Sequence, residues 1–544
     1  MEEIFSESAV TLNNVSEKLA DITGEKSTFN STLDKLVLQI GGYIDGEDVG
    51  GFATNPRNVT KDLASFKSNL SSLGTWILDI KDQSLTIESF YVYSPDAADE
   101  MPNVEDNWFV STWFAVKGFF QSFFFDYEAV GETVEGKDEE IEVWFITDIS
   151  SGREQANALK SLIDQTFIPT YNVNVILKVV NAGVLLPATL AGTGPDVAIN
   201  VEGGLPVNYA LRNAVYNMAE QEDFKAEMDE RFYPEQLVPF TLRHADGSEG
   251  VYGLPNTMSF YVMFYRTDIF EKNGWTVPTT WDEVIDLVTD MQVSNLEFFM
   301  PLEGDAGLMY ATLLHQAGGQ YYTEDQKSTA FNEEVALQAF ERWCSFFTDY
   351  SFELSANFSN RFRSGEMPIG ISSYTLFNTL AVFAPDIAGK WAFVPLPGTY
   401  TTDANGNQVL NTTTIFNQTA VVIMRDADYD NSWDFVKWWT STDTQTQYAK
   451  EMESILGSAA RHNTANKNAV KNLAWSKDEL KTITTMWEAG RGIPGVPGGY
   501  YIGRNLENSI RAVINEDANP RETFKEYIEQ INAEITRKRA EFGL

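Results

Sequence analysis

The sequence predicts an α/β protein that carries an α-helical module at its N-terminal end, and three observations lead there. Within Tyr252 to Glu283, the run Phe260 to Tyr265 is almost continuously apolar and aromatic over the length of a strand. It is entered through Gly253 and Pro255 and left through Arg266 and Asp268. A run of this kind suits a strand buried on both faces. Thr280 and Glu283 then have capping-box spacing: the hydroxyl accepts from a first-turn amide and the glutamate reaches back to the cap amide, so a helix is predicted from Trp281. Upstream, apolar residues recur at three- and four-residue steps, the period of a helix face.

In chain order, Phe5, Leu12, Val15, Leu19 and Ile22 form one helical stripe, and Leu33, Leu36, Val37, Ile40 and Ile44 form a second. A third, Leu63, Phe66, Leu70, Leu73, Ile77 and Ile80, is started by Asn55 and Pro56 as a cap and first-turn pair. Three stripes joined by short loops predict a helical bundle within residues 1–138. Leu85 to Tyr93 alternates like a strand. Trp108 to Phe125 is apolar enough to raise the question of a membrane span. It contains Lys117, however, and gathers Ser111, Thr112, Gln121 and Ser122 on one face and Phe109, Trp113, Val116, Phe120 and Phe123 on the other, the pattern of a packed amphipathic helix. Asp126 to Glu140 is acidic and contains glycine, and reads as a linker into a strand at Ile141 to Ile146. No catalytic constellation is present in this module, which reads as a spacer or docking element.

A chain of 544 residues exceeds one core and implies two to four domains. Its net charge of -39 repels phosphate backbones and anionic membranes, so nucleic acid is excluded as an expected partner. Cys344 is the only cysteine, which rules out an internal disulfide; its neighbours Phe340, Trp343 and Phe347 share its helical face, so a buried structural thiol is expected. His244, His315 and His462 lie far apart without metal-ligand spacing. Asp403, Asn405 and Asn407 alternate around Gly406, but the glycine stands at the wrong place for a calcium loop and no late glutamate follows; a polar hairpin turn is expected there. Phosphate-binding, nucleophile-elbow and dinucleotide motifs are absent, and neither cofactor nor metal is predicted. The start MEEIFSES lacks the basic opening and apolar core of a signal peptide.

Several further segments carry a resemblance. Ala191 to Ile199 (AGTGPDVAI) delivers a short buried strand through a Gly-rich loop, Arg363 to Leu380 reads RSGEMPIGISSYTLFNTL, and Trp391 to Gly398 (WAFVPLPG) follows it. Asn417 to Gln445 gives a strand (TAVVIM) and an aromatic helix (SWDFVKWWTS); Gly457 to Asn466, Pro497 to Arg504 (PGGYYIGR) and the terminal INAEITRKRAEFGL complete the series. In this order, together with Tyr252 to Glu283, they resemble the extracellular solute-binding proteins that feed ABC importers, the family that includes maltose-type binding proteins. The last segments point to a Gram-positive subgroup for complex oligosaccharides, including pectin-derived ones. The resemblance covers roughly 139–544. It implies a bilobal, periplasmic-binding-protein-like fold of the maltose-binding type, with 139–257 plus about 414–450 as one lobe and about 258–413 plus 451–544 as the other. It also implies capture of an oligosaccharide between hinged lobes, delivery to permease subunits of an ABC transporter, a monomer, and anchoring at the outer face of the cell membrane through a segment upstream of Met1.

Sugars offer CH faces that pack on aromatic rings and hydroxyls that need oriented polar partners. The resemblance places Tyr374 and Tyr500 where the family stacks aromatics, with tyrosine in place of tryptophan; core packing is the alternative for both. For polar contacts it implicates Asp148 and Arg153 after the first strand, Asn200 and Glu202 after the GPDV strand, Ser259 where a family carboxylate can stand, and Asp305 in a Gly-containing loop. Arg461 and Arg504 either meet a carboxylated sugar or are paired inside an acidic lobe. Trp281, Trp433, Trp438, Trp439 and Trp391 read as core. Two readings compete from other classes: a glycosidase or lyase, which needs two facing carboxylates at roughly 5 to 10 Å, and a surface adhesion protein that relies on the helical module.

Overall fold

A computed structural model describes residues 2–23, 28–41, 130, 139–147, 152–402 and 406–544. The chain divides into two units, Met1–Ala115 and Val116–Leu544. In the first, helices Glu2–Thr23 and Thr28–Gly41 pack on one another. Leu33, Leu36 and Ile40 are buried, as their spacing predicts, whereas Val15 of the first stripe is exposed. The neighbouring Ser16 is buried in its place, because its hydroxyl donates to Asp34 at 2.9 Å and its carbonyl accepts from Asn30 at 2.6 Å. A polar contact between the helices thus displaces Val15, while Phe5, Leu12 and Leu19 of the same stripe stay half-buried. The third stripe, the alternating run at 85–93 and the apolar stretch at 108–125 lie outside the described residues, as does most of the linker. Within the linker, Val130 is buried, and its amide donates to the carbonyl of Leu177 at 2.8 Å.

The second unit holds nine strands from which the site is built: β1 (Glu140–Ile146), β2 (Asn174–Val180), β3 (Val197–Glu202), β4 (Leu254–Ser259), β5 (Tyr261–Arg266), β6 (Phe298–Phe299), β7 (Ile369–Ser373), β8 (Trp391–Val394) and β9 (Asn417–Ile423). They form two sheets, one ordered β2-β1-β3-β9-β4 and one ordered β8-β5-β7-β6. In the first, β1 pairs in parallel with β2 and β3, and helix Arg153–Leu162 lies in the connection between β1 and β2. The late strand β9 is antiparallel to both β3 and β4. Asp196, before β3, fixes this geometry: one carboxylate oxygen accepts from the amide of Glu142 at 2.8 Å and the other from the amide of Asp428 at 2.9 Å, tying β1 to the start of helix Tyr429–Thr440.

The hinge segment belongs to two sheets, and its apolar run lies in the second of them. β4 ends at Ser259 and β5 begins at Tyr261, so the chain leaves one sheet and enters the other through Phe260 alone. β5 lies between β8 and β7, which pair its backbone along both edges, and its residues on both faces are buried or nearly so. The capping box forms as predicted: the Glu283 amide donates to Thr280 Oγ1 and the Thr280 amide to Glu283 Oε2, each at 3.2 Å. The chain returns to the first sheet at β9 and leaves it a second time after helix Thr442–Leu456, through 457–466. Its final helices, Ile502–Glu516 and Pro520–Glu541, pack on Ala306–Gln316 and Glu334–Thr348, with the rings of Phe340 and Phe524 stacked at 4.0 Å.

Cys344 is buried, and burial pushes its thiol pKa well up. Strands Thr399–Thr402 and Gln408–Asn411 pair antiparallel around the turn predicted from Asp403, Asn405 and Asn407, of which 403–405 lie outside the described residues. Among the described residues, no helix is long and apolar enough to cross a membrane. Replacing Thr280 with alanine removes one side of the capping box and is expected to lower stability by about 1 kcal/mol, read as a lower urea midpoint at unchanged slope.

Candidate functional site

Two pockets flank the change of sheet at Phe260. The larger, of about 310 Å³, opens beyond the carboxyl ends of β1 and β3, the side on which open α/β sheets bind ligands. On the side of the first sheet it is lined by Phe145, Asn200 and Gln155, the last from the start of helix Arg153–Leu162. Asn256 and Thr257 of β4 contribute next. Asn378, near the start of helix Leu376–Phe383 after β7, closes the other side with Arg461, His462 and Asn463 from the last crossing. Trp439, Tyr448 and Met452 supply apolar surface. Polar side chains here are mostly amides, which can both donate and accept.

Their positions follow from local hydrogen bonding. Asn200 has φ 67°, the left-handed region that asparagine tolerates better than most residues, and its Nδ2 donates to the carbonyl of Ile146 at 2.9 Å, so the ends of β1 and β3 are tied together. Asn256 sits in a buried strand because Trp439 Nε1 donates to its Oδ1 at 2.9 Å. Arg461 is only 8% exposed. Its guanidinium lies over the rings of Trp475 and Phe377, 4.6 and 4.9 Å from their centroids, and donates to Glu453 Oε1 from Nη2 at 2.6 Å and from Nε at 3.3 Å. Asn378 Nδ2 donates to the Arg461 carbonyl at 2.8 Å. Two buried atoms of this pair, Arg461 Nη1 and Asn378 Oδ1, have no hydrogen-bond partner among the described residues. An unpaired buried polar atom costs about 1–3 kcal/mol. His462 Nε2 lies 3.1 Å from Gln445 Oε1, and burial lowers its pKa to about 4.

The second pocket, of about 270 Å³, lies on Ser259 and Tyr261 at the strand change, with Ser372 and Ser373 from the end of β7 and Asn417 from the start of β9. Asp305 faces it. Burial raises the Asp305 carboxyl above its usual range, while the Tyr261 hydroxyl acts in the opposite direction. The stacked rings of Phe299 and Phe358, 4.7 Å apart, form a wall. Asp305 is the one carboxylate among the described residues lining these two pockets. A third pocket, of about 290 Å³, joins Val207, Asn208 and Arg212 to Tyr500, Lys538 and Phe542.

The predicted residues therefore distribute as follows. Asn200 and Arg461 meet in the first pocket, Ser259 and Asp305 in the second, and Tyr500 lines the third. Tyr500 is 66% exposed and donates to Glu534 at 2.5 Å. Arg461 is paired with Glu453, one of the two alternatives for it. Arg153, Glu202 and Arg504 are exposed on helix Arg153–Leu162, the end of β3 and helix Ile502–Glu516, and line none of the three pockets. Asp148 lies outside the described residues. Tyr374 is packed inside: its ring stacks on Phe260 at 4.7 Å, its hydroxyl donates to the Met258 carbonyl at 3.1 Å and its amide to the Phe260 carbonyl at 3.1 Å. Gln155, Asn256, Asn378 and Asn463 were not singled out by sequence reasoning, and Trp439, read as core, is buried and also lines this pocket. The signal for Asn256 was present, since an asparagine inside an apolar strand requires a partner.

Comparison with known proteins places this geometry. The model of the family described as bacterial extracellular solute-binding protein matches residues 150–446. The lactose-binding protein of Rhizobium radiobacter is 26% identical over 156 residues, which are 27% of this chain and 36% of that protein. The diacetylchitobiose binding protein NgcE of Streptomyces coelicolor is 39% identical over 57 residues, 10% of this chain and 12% of that protein. The matched stretches thus span well under two thirds of either relative. Among solved structures, the sugar-binding protein MalE from Xanthomonas citri superposes with a TM-score of 0.60 at 17% identity, covering 74% of this chain and 99% of that one. The cyclic alpha-maltosyl-1,6-maltose binding protein from Arthrobacter globiformis gives 0.58 at 17% identity, covering 73% and 99%. These likenesses establish a maltose-binding-like fold.

One consequence concerns pH. His462 and His315 are both held at about 4, mainly by burial and for His315 also by Arg491, below the ordinary 6.5. The unfolded chain therefore binds more protons between those values, so their contribution to stability is complete above pH 6.5 and is lost as pH falls toward 4. Up to about 3 kcal/mol per histidine is at stake. Urea midpoints at pH 7.5 and 5 are expected to drop on acidification, and to drop less in His462→Gln.

Proposed function

This chain belongs to the bacterial extracellular solute-binding proteins, and we propose that it captures an oligosaccharide between two hinged lobes and presents it to the permease of an ABC importer. The observation that carries this reading is the amide-lined pocket on the crossing strands, to which elements beside both sheets contribute. Asn200 and Gln155 supply polar groups from one side, Asn378 and Arg461 from the other, and Trp439 and Tyr448 supply ring surface. Hydroxyls and CH faces of a sugar call for this mixture. The names of the two matched relatives, a lactose-binding and a diacetylchitobiose binding protein, support a short glycan as ligand.

The lobes we assign are 139–257 with about 414–450, and about 258–413 with 451–544. Helix Thr442–Leu456 packs on Arg153–Leu162, with the Tyr448 hydroxyl bonded to the Gln155 carbonyl at 3.4 Å, which favours extending the first lobe to Leu456. A ligand touching both lobes favours the closed state by its differential affinity, and moving the balance from 1:99 to 99:1 requires about 5.5 kcal/mol. The functional form we propose is a monomer anchored at the outer face of a Gram-positive cell membrane, with the helices of residues 1–138 as a spacer or docking module.

Calorimetry against fragments of mannan, xylan, starch and pectin and against milk oligosaccharides tests the reading, with chromatography of the same mixtures. Saturable binding of one class with intact sugar recovered is expected; cleaved sugar would replace capture with catalysis. In the same assay, Tyr500→Ala, which alters the third pocket and not the amide-lined one, should leave binding unchanged; a loss of about 1 kcal/mol would place a sugar ring on the Tyr500 face instead.

A further inference from the structure

Arg212 lines the third pocket with one edge of its guanidinium unused. Its Nη1 donates to the Asn208 carbonyl at 2.9 Å and to the Asn208 side-chain oxygen, and its Cζ lies 5.3 Å from the centroid of the Phe542 ring. Among the described residues no acceptor meets Nε or Nη2, no carboxylate pairs with the group, and neither atom is buried. Arg461 in the first pocket, by contrast, is neutralised by Glu453. Lys538 also lines the third pocket, and no carboxylate does among the described residues, although the chain has 78 acidic residues to 39 basic ones.

Three ligand groups can approach such an edge: a hydroxyl, a vicinal diol or a carboxylate. Nε–H and Nη2–H run side by side, the arrangement that meets both oxygens of one carboxylate. A single hydroxyl fills only one of them. A vicinal diol supplies two oxygens but no charge, and charge-assisted hydrogen bonds are roughly twice as strong as neutral ones. The two glutamates nearby are committed elsewhere. Glu541, held below its usual pKa by its bond to Lys538 and also by Arg537 and Arg212, lies 2.8 Å from the Lys538 ammonium; Glu534 accepts from Tyr500 and Arg537. The negative field of the whole chain slows the approach of an acid, but salt screens it beyond about 8 Å, so contacts inside the pocket decide.

We infer that the third pocket holds the carboxylate of an acidic sugar residue, bonded side-on by Arg212 and attracted by Lys538, so that the captured oligosaccharide is one bearing a uronic or sialic acid. This rests on the oligosaccharide-capture reading and narrows it to a substrate class. Arg212 belongs to one assigned lobe and Lys538 to the other, so the carboxylate interacts with both and favours their closed arrangement by its differential affinity. Tyr500 takes no part in the selection, because its hydroxyl is bonded to Glu534.

The test is calorimetry on the full chain with two acid and neutral pairs, trigalacturonate with its methyl ester and 3′-sialyllactose with lactose, at 50 and 500 mM NaCl. At least tenfold tighter binding of the acid is expected in one pair or both at low salt, with the preference shrinking at high salt. Arg212→Gln should bring the ratio close to one while leaving the neutral sugar bound as before. Arg212→Lys keeps a cation without the fork and should retain part of the preference; Lys471→Gln, at an exposed cation that lines no pocket, should retain all of it. Equal or tighter binding of the neutral member, survival of the preference in Arg212→Gln, or binding of neutral glycans alone in the wider panel overturns the inference and leaves oligosaccharide capture standing. Tighter binding of 3′-sulfolactose than of 3′-sialyllactose overturns it in favour of a sulfate ester. Failure of every carbohydrate overturns both readings. Should a variant not fold, as judged by circular dichroism, the ratio and its salt dependence on the native chain still decide.

Discussion

The constraint on which the rest of this structure depends is the pairing of backbone groups where the chain passes from one sheet to the other. Phe260 is buried and has no sheet neighbour of its own kind, yet its amide and carbonyl are as polar as any. The crossing is held because other segments run beside it. The amide of Met258 donates to the carbonyl of Asn463 at 2.9 Å, that of Ala465 to the carbonyl of Asn256 at 3.1 Å, and that of Tyr374 to the carbonyl of Phe260 at 3.1 Å. β4 pairs with β9 on its other flank, with Ser259 opposite Asn417. The passages between sheets therefore stabilise one another, although they are far apart in sequence. Tyr374 adds a ring against Phe260 and a hydroxyl on Met258, so the residue that resembles a sugar platform acts here as a clamp on the crossing strand.

This arrangement leaves polar groups in an otherwise closed interior. A strand that changes sheets cannot be covered on both faces by helices along its whole length, and the two pockets lie where that cover stops. Their chemistry differs. One combines amides with a guanidinium already paired to Glu453; the other combines hydroxyls with the Asp305 carboxyl, whose pKa burial raises. A ligand lying across the strand change would meet amides at one end and hydroxyls with a single carboxyl group at the other. Neither end presents an uncompensated positive charge.

Legibility in the sequence followed the range of the interaction concerned. The capping box of Thr280 and Glu283, the buried strand at β5, the helical face of Cys344 and the buried stripe of Leu33, Leu36 and Ile40 were all readable, because each is set by residues within a few positions of one another. The change of sheet at Phe260 was not: the residues before it and the apolar run after it pair in different sheets, and no glycine, proline or charge stands between Thr257 and Tyr265 to mark the switch. The burial of Ser16 in place of Val15 depends on Asn30 and Asp34 in another helix. The site was readable in part. Asn200, Arg461, Ser259, Asp305 and Tyr500 each line a pocket, but their grouping into three pockets, and the amides of Asn256, Asn378 and Asn463, come from contacts across more than a hundred residues. Resemblance located segments; only tertiary packing decided which side chains turn inward.

The distribution of charge bears on how such a pocket discriminates. A chain with 78 acidic residues creates a negative field outside it, but salt screens exposed charges beyond about 8 Å at physiological ionic strength, so that field chiefly governs approach. Inside, Arg461 is shielded by Trp475 and Phe377 and neutralised by Glu453, which removes the long-range attraction a free guanidinium would exert. What remains is directional: the amides of Asn200 and Asn256, fixed by the Ile146 carbonyl and the Trp439 indole. Discrimination by such groups works through the penalty for leaving them unpaired rather than through Coulomb attraction. It is therefore less sensitive to salt than recognition by exposed charge, and more sensitive to the placement of single atoms. The clamp that fixes the crossing strand and the aromatic pair that fixes Arg461 meet in the same ring cluster, since Tyr374 lies 5.9 Å from Trp475. The accuracy of the pocket and the integrity of the crossing thus rest on one set of aromatic contacts.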